Sequence, residues 1–260
     1  MTIGRFREPS RPVLLGFSGI MRSMLKQRVV FLLFLVSILL DGCMTRVGPD
    51  GRKETHYSPR YLAKTDIDRV IDADHAEVVA GMRRIAEKLY KRNPKEWKKS
   101  GQASREAAMT RLFAGSADFP ELEGRQEGAA VLFALSQDYQ GDRVLGVMAG
   151  LLGMVYASYE NKSDFYMLDD LNEQKLYNCA RNVEIAIWKM SSARGATGEL
   201  LLLSNELDPA NPNLSFEREF GKVIGLLDLM SKIVADKKGR AVSRLTQSIA
   251  TAAFLPVIGL

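Results

Sequence analysis

The chain has 260 residues, 46% of them hydrophobic, which suffices for one sizeable core or two small ones and is too apolar for a disordered chain. It carries 36 Lys and Arg against 31 Asp and Glu, but residues 1–42 hold six of the basic residues and two of the acidic ones. Thirty basic and twenty-nine acidic residues remain for 43–260, a net of +1, so the electrostatic footprint of a nucleic-acid binder is missing and no nucleic-acid partner is expected.

Residues 29–40 read VVFLLFLVSILL, with Ser37 the one polar residue, and Arg22, Lys26 and Arg28 stand just before them. A cationic flank followed by a short apolar run is the layout of a secretory signal peptide. A membrane span needs ~20 apolar residues, more than this stretch supplies. The alternative is an uncleaved helix that anchors the chain. Met21 or Met24 would open a signal peptide of ordinary length.

Directly after the apolar run comes Leu40-Asp41-Gly42-Cys43. This resembles the lipobox of bacterial lipoproteins: an aliphatic residue, two small residues, then the cysteine. Asp41 departs from the pattern, which usually has Ala or Ser there. The resemblance covers about residues 21–43 and implies a processing route, with no fold or activity attached. It implies cleavage before Cys43, removal of 1–42, and acyl chains on Cys43 that hold the chain at a membrane facing the periplasm. Two or more acyl chains give stable anchoring. Met44 follows the cysteine where an Asp would favour inner-membrane retention, so the outer membrane is expected.

Residues 43–64 contain Gly48-Pro49 and Asp50-Gly51 and read as a lipidated, flexible tether ahead of a single helical domain over 65–260. The first long helix is expected over 66–91, with Thr65 and Asp68 as a capping box. Ile67, Ile71, Val78, Met82, Ile85 and Leu89 form its apolar stripe, and Asn93-Pro94 ends it. The basic stretch 91–99, KRNPKEWKK, reads as a solvated helix end and loop. Attraction to anionic headgroups, aided by Trp97, is its alternative.

Shorter helices are expected over 102–114 and 125–138. Val144–Ala157 is apolar on every side yet only ~21 Å long, so it reads as a central buried helix rather than a span. Gly146, Gly150 and Gly153 in it would let neighbours approach closely. Asp170 and Glu173 fit a capping box for a helix over 171–191, striped by Leu176, Cys179, Val183, Ile187 and Met190. A helix over 214–236 is striped by Phe216, Phe220, Val223, Leu227, Met230 and Val234. A last helix is expected over 240–253, before an apolar C-terminus that packs on the domain or docks elsewhere. No run alternates cleanly between apolar and polar residues. The fold class is therefore all-α, an irregular bundle of seven or eight helices.

Chemistry is harder to find. The chain holds two histidines. His75 falls on the apolar stripe of the first helix beside Asp72, Asp74 and Glu77, which makes it a weak candidate metal ligand or general base. Neither carboxylate spacing makes a zinc motif, and a core-edge histidine is the plainer reading. Asp164, Asp169 and Asp170 lack the alternation of a calcium loop. Cys179 reads as a small core hydrophobe. No nucleophile elbow, phosphate loop or dinucleotide fingerprint occurs, so no catalytic residue and no cofactor is assigned. The sequence points to a membrane-anchored binding or assembly protein with a protein partner in the cell envelope. The alternatives are a peptidoglycan-acting hydrolase, whose paired carboxylates need not be near in sequence, and a bundle that binds lipid or a small ligand.

Overall fold

The computed structural model describes residues 28, 43–47, 53–57, 64–114, 119–167, 169–205, 213–239, 254, 255 and 257, the two five-residue segments by backbone alone. The apolar run 29–40 and the helix expected over 240–253 lie outside them. The chain divides after Lys64.

In the first unit, β1 (Cys43–Val47) pairs antiparallel with β2 (Lys53–Tyr57), with Cys43 opposite Tyr57, Thr45 opposite Thr55 and Arg46 opposite Glu54. A tether was expected here. The strands mix polar and apolar residues without alternation, so hydrophobic periodicity had nothing to report.

The second unit, Thr65–Leu260, is all-α among its described residues, with seven α-helices. They are α1 (Asp66–Arg92), α2 (Glu96–Lys99), α3 (Arg105–Leu112), α4 (Glu127–Ala134), α5 (Arg143–Ser158), α6 (Glu173–Ser192) and α7 (Ser215–Lys238). No described helix is long and apolar enough to cross a membrane.

The stripe of α1 is buried as expected, except that Ile67 is half-buried. Its Thr65 capping box forms in both directions, the Thr65 hydroxyl accepting from Asp68 N–H at 3.2 Å and Asp68 accepting from Thr65 N–H at 2.7 Å. The stripe of α7 is buried throughout. Helix α1 packs against α3, α5 and α7, and α5 also packs against α2, α3, α4 and α6.

Helix α5 is the centre, with 13 of its 16 residues buried. A Cβ on Gly150 would lie 2.4 Å from the Glu127 carbonyl oxygen, and one on Gly146 would lie 2.5 Å from Ala134 Cβ. These two glycines seat α4 directly on α5. Gly153 is looser, its nearest contact at 3.4 Å being ordinary.

Three expectations need correction. The capping box of Asp170 with Glu173 does not form: Asn172 caps α6, its Oδ1 accepting from Gln174 N–H at 2.9 Å and Lys175 N–H at 3.2 Å. Leu171 is buried, which puts the chain into the core before the helix begins. Asp170 instead meets Lys238 at 2.6 Å, tying the end of α7 to the start of α6. The helices expected over 102–114 and 125–138 are shorter, starting at Arg105 behind the Ser104 cap and ending at Ala134. The stretch 91–99 contains the one-turn helix α2 and buries Glu96.

The described C-terminal residues pack on the domain. Leu255 and Val257 are buried, and Leu255 exchanges two hydrogen bonds with the Asn182 side chain at 2.6 and 2.8 Å.

Candidate functional site

A buried set of titratable groups surrounds His75. The stripe of α1 turns His75 inward with Ile71 and Val78, and the same turn carries Asp74 under the surface. The end of α5 supplies Tyr156 and Tyr159, and the loop after it supplies Phe165. The His75 ring stands 4.6 Å from the Tyr159 ring, 6.1 Å from Tyr156 and 6.4 Å from Phe165. The Tyr159 hydroxyl donates to Asp74 Oδ2, and Asp72 Oδ1 accepts the Phe165 N–H at 2.9 Å. His75 Nε2 is buried without a hydrogen-bond partner.

Burial dominates the electrostatics. It pushes the Asp74 carboxyl up to about 6, against the pull of the Tyr159 hydroxyl. It holds His75 below the usual imidazole range, with the Asp72 charge opposing. It raises the Tyr159 phenol, and the neighbouring Asp74 charge raises it further. Near neutral pH the set is an ionised Asp74 under a tyrosine hydroxyl and a neutral imidazole among aromatic rings. Cys179 is buried with the Ser158 hydroxyl beside it, and burial pushes its thiol up to about 12, which removes it as a thiolate nucleophile.

His75 as a metal ligand would need partners. Among the described residues no group of three or more His, Cys, Asp or Glu is placed to hold a metal ion. The carboxylate next to His75 in sequence, Asp74, is engaged by Tyr159.

A second buried set lies at the other end of α5. Asp142 caps that helix, Oδ1 accepting Leu145 N–H at 2.9 Å, while Oδ2 accepts the Tyr90 hydroxyl at 2.9 Å and Ser100 Oγ at 3.3 Å. Glu96 Oε2 accepts Arg143 N–H at 2.8 Å, so two carboxylates sit at one helix N-terminus, where the dipole favours them. The Arg143 guanidinium donates to the carbonyls of Ala134 and Ser136 at 2.6 and 2.7 Å, closing the end of α4. Burial raises the Asp142 carboxyl, with the Leu145 amide and Tyr90 hydroxyl opposing. Sequence reading passed over this set. Its one local signal was Asp142, two residues before the apolar run that begins at Val144.

Asp74 and Asp142 do not form a catalytic carboxylate pair. They meet opposite ends of a 16-residue helix, about 24 Å apart, whereas glycoside hydrolysis needs carboxylates ~5–9.5 Å apart. The acidic loop residues are likewise occupied: Asp169 accepts the Tyr166 N–H at 2.8 Å and pairs with Lys162.

No family model matches the chain, and neither a curated protein nor a solved structure is significantly similar to it.

Proposed function

We propose that this chain is a lipid-anchored envelope protein whose helical unit binds or assembles with another envelope component. The observation that carries the proposal is the order Arg22, Lys26, Arg28, then the apolar 29–40, then Leu40-Asp41-Gly42-Cys43, with the helical unit starting at Thr65. Acylation of Cys43 would hold that unit at a membrane surface, and Met44 favours the outer membrane.

Two features that suggested the alternatives have structural roles in the bundle. Asp74 and Asp142, two carboxylates that burial raises, each accept a tyrosine hydroxyl, and Asp142 also caps α5. The glycines of α5, the feature that motivated a ligand-binding bundle, receive α4.

Mass spectrometry of the N-terminal peptide from membrane-extracted protein tests the anchor. A peptide starting at Cys43 with diacyl or triacyl mass supports it. An unmodified peptide that retains 29–40 overturns it and returns Cys43 to the free thiols. Crosslinking in intact cells tests the binding role, which fails if no reproducible partner is recovered.

A further inference from the structure

The stretch KRNPKEWKK contains one acidic residue, and the fold removes it from the surface. Glu96 is 7% exposed, with Oε2 on the Arg143 amide of α5 and Oε1 on Lys99 Nζ at 2.7 Å. Lys91, Lys95, Lys98 and Lys99 remain exposed. Lys91 is offset by Glu87 at 2.7 Å, but Lys95 and Lys98 make no ion pair among the described residues. Lys99 is offset by Glu96 itself, which leaves Lys95 and Lys98 as the outward-facing lysines of the stretch without an ion pair among the described residues.

Apolar groups share this end of the unit. Trp97 is half-buried, with Lys98 Nζ 5.4 Å from its ring. Leu203 is 44% exposed and is fixed beside the end of α1 by two hydrogen bonds of 2.8 Å with the Asn93 side chain. Leu214 is 50% exposed, one residue before Ser215, whose carbonyl accepts Lys88 Nζ at 3.1 Å.

We propose that this end, formed by the last turn of α1, α2 and the 201–205 segment, docks on an anionic phospholipid surface. Flexible ammonium groups beside a tryptophan and exposed leucines match a headgroup layer, where the cations meet phosphate and the apolar groups reach the acyl boundary. An acidic soluble polymer would satisfy the lysines and leave Leu203 and Leu214 in water. Each lysine near such a surface contributes about a five-fold gain in partitioning. The inference does not rest on acylation of Cys43, because every residue it invokes lies within Thr65–Leu260.

The test uses the full chain reconstituted into phosphatidylcholine vesicles with or without phosphatidylglycerol, followed by amine acylation and mass spectrometry. Lys95 and Lys98 are expected to react several-fold more slowly when phosphatidylglycerol is present, and high salt should restore their reactivity. Lys222 and Lys232, exposed along α7, serve as references whose reactivity stays constant. In Lys95→Gln/Lys98→Gln the remaining protection of Lys91 and Lys99 should disappear. Equal reactivity in the two vesicle types overturns the proposal. So does protection that is already complete without phosphatidylglycerol, which would mean a contact other than anionic headgroups.

Discussion

Gly150 and Gly221 both sit inside helices, and their surroundings give them opposite values. A Cβ on Gly150 would press on the Glu127 carbonyl at 2.4 Å and on Val131 Cγ2 at 2.7 Å, so α4 would have to move. Gly150→Ala is expected to destabilise the unit by about 1–3 kcal/mol. A Cβ on Gly221 meets nothing within 4 Å, and Gly221→Ala should stabilise α7 by about 0.5–1 kcal/mol through backbone entropy alone. Urea denaturation of both variants reads the contrast, and equal effects would refute the packing at α5. Asp74 and His75 form a second opposed pair. The Asp74 carboxyl is raised to about 6 in the fold, so its contribution to stability is full below the unfolded value and is lost as pH rises through 6. His75 is lowered, so its contribution is full above the unfolded imidazole value and is lost as pH falls below it. The Asp74 slope runs between about pH 4 and about pH 6 and the His75 slope lies below the unfolded imidazole value, so where they overlap the two oppose each other. Asp74→Asn keeps an acceptor for Tyr159 and removes one slope, so its stability relative to the parent should climb by about 2 kcal/mol as pH rises from about 4 to about 7. His75→Gln should instead gain relative to the parent on acidification. Parallel profiles for the two variants would refute the assignment.

Helix ends show where local sequence suffices and where it does not. The Thr65 box formed as read, because its two partners lie within three residues of each other. The Asp170 box failed although its spacing was right. Leu171 is buried, and with Leu176 it occupies the positions of a hydrophobic staple around an Asn172 cap, which moves the helix start by two residues. Asn172→Ala should therefore cost about 1 kcal/mol. Asp170→Ala, whose partner Lys238 also lies near Glu173, should cost under about 0.5 kcal/mol because the Asp170 side chain is 75% exposed. Chemical denaturation of the two variants distinguishes them, and the reverse order would restore the capping box. The same limit explains the sites. His75 was legible as an inward-facing histidine, because its position on the stripe of α1 is a matter of three- and four-residue steps. Its surroundings were not legible, since Tyr159 reaches Asp74 from 85 residues away and Tyr90 reaches Asp142 from 52. Periodicity reports which side of a helix faces inward and carries nothing about which helix it meets.

At the scale of the whole molecule, the long stripes of α1, α6 and α7 and the all-round apolar α5 made the bundle legible, because each buries the face its own sequence marks except at Ile67 and Ile187, which are half-buried. How the chain end closes the bundle was not legible, for it depends on a polar residue inside an apolar stripe. Asn182 lies in α6 between Arg181 and Val183 and is fully buried. Its amide donates to the Leu255 carbonyl at 2.8 Å, and its oxygen accepts the Leu255 N–H at 2.6 Å. The side chain thus replaces the strand or helix neighbour that an isolated backbone segment lacks. Phe254 adds to the closure: a Cβ on Gly128 of α4 would lie 2.7 Å from its ring, so α4 and the C-terminal segment meet without a gap. Asn182→Ala would strand both backbone groups of Leu255 in a buried site, a loss of about 2–3 kcal/mol if the segment stayed in place. Release of the segment into water costs less than holding it unpaired, so release is the expected response. Limited proteolysis with mass spectrometry should then show the residues around Leu255 trimmed several-fold faster in Asn182→Ala than in the parent chain. The body from Thr65 to Lys238 should persist, since its core residues lie on α1, α5, α6 and α7. Unchanged trimming would mean that Phe254 and Val257 hold the segment by apolar packing alone, and the Asn182 clamp would then be an accessory to that packing rather than its cause.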